Sequence, residues 1–205
     1  MIRYFVALWM IIFAIPLAAQ SNFPALFDVT DVAANDTLNV RAQPDVAADI
    51  IGELDPSSSD VEVFGTDPSG NWAHVNILDQ AGWVAIRFLK AQPVVGEGGL
   101  PETLHCAGTE PFWSLSAGTG GAIYNAPDTG LSLYGHGFDA ASSNRTDRFS
   151  RGFAGKAGGL FATIEREQCS DGMSDRLYGW SIDAILAKNG LAEATMISGC
   201  CSLTK

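Results

Sequence analysis

Apolar and polar residues alternate with period two along most of the chain, and turn residues interrupt the alternation every few positions. Leu38-Asn39-Val40-Arg41 alternates and stops at Pro44-Asp45. Ile50 to Leu54 is a second short run, ended by Asp55-Pro56-Ser57-Ser58-Ser59. Val61-Glu62-Val63-Phe64 alternates again before the turn residues Asp67-Pro68-Ser69-Gly70-Asn71. Trp72 to Ile77 and Trp83 to Ile86 follow, on either side of Asp79-Gln80-Ala81-Gly82. Strands this short, separated by Pro, Gly, Asn and Asp, predict a small β-barrel over residues 25–90.

The pattern then changes. Residues 91–103 carry two prolines and three glycines and read as a linker. Over residues 104–205 the period of two returns, with Trp113 and Leu115 alternating with serines. Ala122–Asn125 and Leu131–Tyr134 predict a hairpin around Pro127-Asp128-Thr129-Gly130, and Leu160–Glu165 predicts a further strand. Tyr178, Trp180, Ile182, Ala184 and Leu186 fall on one face of a strand. Ile182, Ile185 and Leu186 also suit a helix, but the hairpin signal of Asn189-Gly190 favours the strand. Ala140 to Gly159 is polar and Gly-rich, holds Arg145, Arg148, Arg151 and Lys156, and reads as a solvated basic loop. The expected fold class is all-β, a small barrel followed by a second antiparallel β-barrel.

The start of the chain sets the compartment in which its cysteines are read. Met1-Ile2-Arg3 is positive, Tyr4 to Ala14 is apolar, and Pro16 precedes small residues up to Ala19. This is the layout of a signal peptide over residues 1–19. It falls short of the ~20 apolar residues a spanning helix needs, so no stable membrane insertion is expected after cleavage. Export permits disulfides. The four cysteines are Cys106, Cys169, Cys200 and Cys201. A bridge between neighbours strains the intervening peptide, so Cys200 and Cys201 should each take a distant partner. Successive side chains of a strand point to opposite faces, which puts one bridge on each side of the last strand. Spacing does not choose between the two connectivities; Cys106–Cys201 with Cys169–Cys200 is the favoured pairing, and either makes the second barrel a disulfide-bonded one.

Composition narrows the partners. With 47% hydrophobic and 17% charged residues the chain reads as globular rather than disordered. Ser21–Leu100 holds three Lys/Arg against twelve Asp/Glu, and Pro101–Lys205 holds eight against eleven. Such an acidic surface repels phosphates, which excludes nucleic acid as a partner and argues against adhesion to anionic lipid.

Leu38-Asn39-Val40-Arg41-Ala42-Gln43-Pro44, Ile51-Gly52-Glu53-Leu54, Val61-Glu62-Val63, Asn71-Trp72-Ala73-His74-Val75 and Gly82-Trp83-Val84, in this order, resemble the bacterial SH3 domain over about Phe27 to Leu89. The resemblance implies an SH3-like barrel that attaches to peptidoglycan or to peptide ligands of the cell envelope. The segment Asp55 to Asp60, a Ser-rich acidic turn, departs from the family pattern where the resemblance places the edge of the ligand groove. Trp72, Asn71 and Arg41 are the ligand-binding candidates. Trp72 reads equally as core or as an exposed platform for a ligand. Trp83 reads as core, His74 as solvent-facing, and Arg41 as the partner of Asp36 or Asp45.

Cys106-Ala107-Gly108-Thr109-Glu110-Pro111-Phe112-Trp113 and Cys169-Ser170-Asp171-Gly172-Met173-Ser174-Asp175, with Gly199-Cys200 near the end, resemble an uncharacterised family of exported bacterial envelope proteins. That resemblance spans Leu104 to Cys201 and implies a small β-barrel without a known activity. Glu110, Asp171 and Asp175 are the candidates for acid/base work or for holding a cation. The plainer reading has Asp171 capping its own loop and Asp175 pairing with Arg176 or Arg166. A copper or zinc site built from His105, Cys106, His136 and the terminal pair Cys200 and Cys201 fits no standard spacing, and oxidised cysteines do not ligate, so neither metal nor cofactor is expected. No Ser-His-Asp or Cys-His set assembles from the sequence. The expected function is that of an exported protein, in the periplasm of a Gram-negative bacterium, whose first module binds cell-wall peptidoglycan or an envelope peptide or protein. The second module then binds a ligand the sequence does not identify. The alternative, less favoured, is a cell-wall hydrolase acting through Glu110, Asp171 and Asp175.

Overall fold

The computed structural model of the protein describes residues 23–93, 99–188 and 192–204. The signal-peptide reading, the middle of the linker reading and the Asn189-Gly190 turn lie outside the described residues. Among the described residues strands account for all the regular structure except one 3₁₀ turn at Ile86–Phe88.

The first unit consists of β1 (Ala25–Val29), β2 (Leu38–Arg41), β3 (Ile50–Leu54), β4 (Val61–Thr66), β5 (Trp72–Ile77), β6 (Gln80–Ala85) and β7 (Leu89–Ala91). They form one antiparallel sheet in the order β3-β2-β6-β5-β4-β1-β7. Alternate positions meet in its core: Val40, Val63, Ala73, Val75 and Val84 are wholly buried. In β6 the inward positions are Gly82 and Val84, which turns Trp83 to the other face. There Trp83 is only partly buried and stacks on His74, with ring centroids 4.1 Å apart and planes 4° from parallel. The expectation of a core Trp83 is therefore corrected, while His74 stands on the face away from the core as expected, half-covered by the Trp83 ring. Gly82 hides the parity, because a Cβ there would come within 2.6 Å of Val40 and 2.8 Å of Ile51. The inward position has room for no side chain, so nothing apolar marks it in the sequence.

The second unit is a closed barrel of eight strands: β8 (Thr103–Thr109), β9 (Phe112–Gly118), β10 (Gly121–Ala126), β11 (Gly130–Ala141), β12 (Arg148–Gly155), β13 (Gly158–Glu165), β14 (Trp180–Lys188) and β15 (Glu193–Ser202). Each strand pairs antiparallel with the next, and β15 returns to β8. Eight strands leave an interior just wide enough for side chains to fill. Leu104, Leu115, Tyr124, Phe153, Leu160, Ile164 and Trp180 fill it. The closing seam is short, pairing Cys200 with Ala107, Cys201 with Cys106 and Ser202 with His105. Cys106 and Cys201 join there, inside the core, and Cys200 joins Cys169 of the loop before β14. The bridges are Cys106–Cys201 and Cys169–Cys200, one on each side of the last strand, as expected.

The basic segment 140–159 is not one solvated loop: the strand β12 occupies Arg148–Gly155, and the ends of β11 and β13 take Ala140–Ala141 and Gly158–Gly159. Phe149, Arg151 and Phe153 are the inward positions of β12. The alternation was obscured because a charged residue stands in the middle of the inward row. Arg151 is 1% exposed and donates from Nε and Nη2 to the two oxygens of Asp139 on β11, at 2.7 and 3.0 Å. Its remaining donors go to the carbonyls of Ala117, Pro101 and Glu102. These bonds, with the burial of Leu100, fasten the end of the linker segment to the barrel.

The two units touch along a polar seam. The Asn76 side chain donates to the Leu177 carbonyl and accepts from the Leu177 N–H, both at 2.9 Å. Arg176 donates to the Leu78 carbonyl, and the Asp175 N–H donates to the Asp79 carbonyl. On the same side the Leu203 N–H donates to Glu62 of β4. The Arg176 side chain and the Asp175 backbone N–H thus bind the β5–β6 turn, and no ion pair links Asp175 to Arg176 or Arg166 among the described residues, which corrects that expectation.

Candidate ligand-binding cleft

Asp67 organises the turn that carries two of the candidate residues. Its Oδ2 accepts from the Ser69 hydroxyl and N–H, and its Oδ1 accepts from the N–H groups of Asn71 and Trp72 at 3.0 and 2.9 Å. The Ser69 hydroxyl bond leads these interactions in holding the carboxyl below the usual aspartate range. A side-chain oxygen that replaces backbone partners in this way fixes a tight turn. Asn71 and Trp72 are thereby delivered at the start of β5. The Asn71 carbonyl accepts from the Ile86 N–H, which ties the 3₁₀ turn to the same place.

Arg41 at the end of β2 donates to the Ala48 carbonyl at 2.7 Å, and not to Asp36 or Asp45 as the sequence had implied. That bond holds the side chain across its own turn and leaves the charge without a carboxylate ion pair among the described residues. Arg41, Asn71 and Trp72 together line one cleft of about 590 Å³. The loop between β1 and β2 adds Asp31 and Asp36, and the 3₁₀ turn adds Arg87, whose guanidinium lies 4.5 Å over the Phe88 ring. Trp72 is partly buried, so it is neither a core residue nor a free-standing platform but a wall of the cleft. The turn Asp55 to Asp60 does not line it; Asp60 instead accepts from Gln92, on the side of β1 and β7.

The cleft joins an indole face, the primary amides of Asn39 and Asn71, the Thr37 hydroxyl, two guanidinium groups and two carboxylates. This set can hold a polar chain by stacking, amide hydrogen bonds and charge at both signs. Asp31, Asp36 and Arg87 were missed in the sequence. A polar loop without periodicity gives no sign of which of its residues will face inward.

The acids of the second unit do not assemble in the same fashion. Asp171 accepts from the N–H groups of Met173 and Ser174, both at 3.0 Å, and from the hydroxyls of Ser174 and Tyr178. Desolvation raises its pKa, but these bonds outweigh it and bring the carboxyl to about 2. A cavity of about 360 Å³ beside it is also lined by Glu167, Asp183 and the Cys169–Cys200 bridge, and by neither Glu110 nor Asp175. Glu167 and Asp183 accept from Ser181 and Ser198. Glu110 is exposed at the β8–β9 turn. Among the described residues no group of three His, Cys, Asp or Glu side chains could hold a metal ion.

Residues 36–90 match the family model of the bacterial SH3 domain, a span that contains most of the cleft lining. No curated protein and no solved structure matches the chain.

Proposed function

We propose that this is an exported envelope protein whose first unit holds cell-wall peptidoglycan, or an envelope peptide, in the cleft around Trp72. The observation that carries the reading is the meeting of Arg41, Asn71 and Trp72 in one cleft of about 590 Å³ within the segment that matches the bacterial SH3 domain. A wall peptide presents amides, carboxylates and amines along a short chain, and the cleft has a partner for each. Export is supported by the leader pattern of residues 1–19 and by the two disulfides, and the periplasm is the compartment they favour.

The second unit, which resembles an uncharacterised family of exported envelope proteins, acts in this reading as a rigid binding or scaffold module. Dispersal of Glu110, Asp171 and Asp175 favours that role over hydrolysis. The test is co-sedimentation with purified peptidoglycan. Trp72→Ala should weaken retention about tenfold or more. His74→Ala, whose ring stacks on Trp83 and does not line the cleft, should leave it within about twofold. Equal retention of wild type and Trp72→Ala sinks the proposal.

A further inference from the structure

Three arginines of the barrel are held by carboxylates: Arg145 by Asp147, Arg148 by Glu165 and Arg151 by Asp139. Arg166, just past the end of β13, is not; none of the ion pairs among the described residues involves it. Its Nη2 donates to the Gly99 carbonyl at 2.7 Å, and its guanidinium lies 4.9 Å over the ring of Trp180. Its Nε is enclosed and has no hydrogen-bond partner among the described residues. Trp180 itself is 1% exposed, and its indole Nε1 is likewise buried without a partner among the described residues. Desolvation lowers the pKa of Arg166, the mark of a cation drawn out of water without full compensation.

Arg166 and Trp180 line a cavity of about 260 Å³ between the first sheet and the barrel. Its apolar wall comes from Pro24, Leu26, Pro101 and Leu203. Glu102 and Thr103 stand on the same lining and supply oxygen acceptors. The Arg166 guanidinium stands on this lining without an ion pair among the described residues, which calls for an anion with acceptor oxygens, and a planar carboxylate suits the guanidinium fork. The volume lies below the roughly 300–1,000 Å³ of sites for drug-sized molecules, which limits the occupant to about one or two small residues.

We propose that this cavity takes the C-terminal carboxylate of a short peptide ending in small apolar residues. The carboxylate lies on Arg166, the terminal side chain packs on Pro24, Leu26 and Leu203, and an amide N–H of the peptide turns to Glu102 or Thr103. A simple fatty acid would satisfy the guanidinium and leave those acceptors unused. The site is separate from the cleft around Trp72 and does not depend on the reading given to that cleft.

The test is an NMR titration of the isotope-labelled protein with N-acetyl-alanyl-alanine, its C-terminal amide and butyrate. The free acid should shift the Arg166 Nε–H and Trp180 Nε1–H signals. The amide and butyrate should bind about tenfold more weakly or worse, since each lacks one set of the bonds to a charged or buried group. Arg166→Lys should weaken the acid while leaving the spectrum folded, and Trp72→Ala should leave it unchanged. Three results would overturn the proposal: equal binding of acid and amide, equal binding of butyrate, or no shift at millimolar ligand. A Glu97→Gln variant whose Arg166 Nε–H signal moves without any ligand would also overturn it, because the chain would then be supplying its own carboxylate.

Discussion

The carboxylate of Glu62 accepts the backbone N–H of Leu203 at 3.1 Å, so a buried acid of the first sheet holds the tail of the barrel. Glu62 is 7% exposed, and burial raises its pKa from 4.5 to about 7 against the opposing effects of the Leu203 and Thr204 N–H groups and of Arg176. The folded state therefore keeps a proton that the unfolded state gives up. Stability falls as pH rises from about 4.5 to 7, by roughly 3 kcal/mol as an upper figure, and is level above that.

Glu62→Gln keeps an acceptor for Leu203 and removes the charge. It should gain stability over the wild type across that window and hold the gain above pH 7. Denaturant midpoints at a series of pH values measure the difference, which separates Glu62 from His74, whose desolvated ring gives the opposite slope below its ordinary pKa. A difference that does not change with pH would refute the assignment.

The Arg151–Asp139 pair makes a second prediction. Asp139→Ala would leave a guanidinium buried among carbonyls without its counter-charge, at a cost of about 3–5 kcal/mol. Replacing both partners, Arg151→Met with Asp139→Leu, should recover part of that loss and not all, because the carbonyls of Ala117, Pro101 and Glu102 lose their donor. A double variant less stable than Asp139→Ala alone would show that the charge itself holds the barrel end.

Much of this architecture could be read in advance, for a reason visible in Val40 and Ile182. Each stands in a strand whose inward row is apolar and whose turns are marked by Pro, Gly or Asn. The adjacent cysteines were legible by the same parity, since neighbours on a strand cannot share a face. Arg151 defeated the rule because its partner lies on another strand, and pairing across strands leaves no local trace. Trp83 defeated it because the inward neighbour is a glycine. The Asn76–Leu177 clasp was out of reach altogether, as its bonds exist only once sheet and barrel have met. Trp72, Asn71 and Arg41 were found through motif order, whereas Asp31, Asp36 and Arg87 of the same cleft sit in segments without period.

Asp171 supports a third prediction. Its carboxyl gains stability in the folded state that is present above pH 4 and lost as pH falls toward 2, the reverse of Glu62. Asp171→Asn retains one acceptor oxygen and should lower the melting temperature, with a loss of about 1 kcal/mol once solvent screening is allowed for. An unchanged or higher melting temperature would point to a strained functional acid.

The two disulfides should fail differently. The Cys106–Cys201 bridge spans a sequence separation of 95 and crosses the seam where β15 meets β8, whereas Cys169–Cys200 spans 31 and lies outside the core cluster. In the chain-entropy model the loops are worth about 4.5 and 3.5 kcal/mol. The larger difference is mechanical: the seam has three residue pairs, and the core bridge is one of them. Cys106→Ala with Cys201→Ala should open the barrel and expose residues 104–205 to protease while the first sheet survives. Cys169→Ala with Cys200→Ala should keep the barrel closed but loosen the loop that carries Arg176 and Leu177, so that cleavage begins there and the contacts to Asn76 and Leu78 are lost. Limited proteolysis with peptide mapping under non-reducing conditions reads both. Early cleavage inside β8 or β15 in the second variant, or an intact barrel in the first, would assign the closure to strand pairing and packing alone.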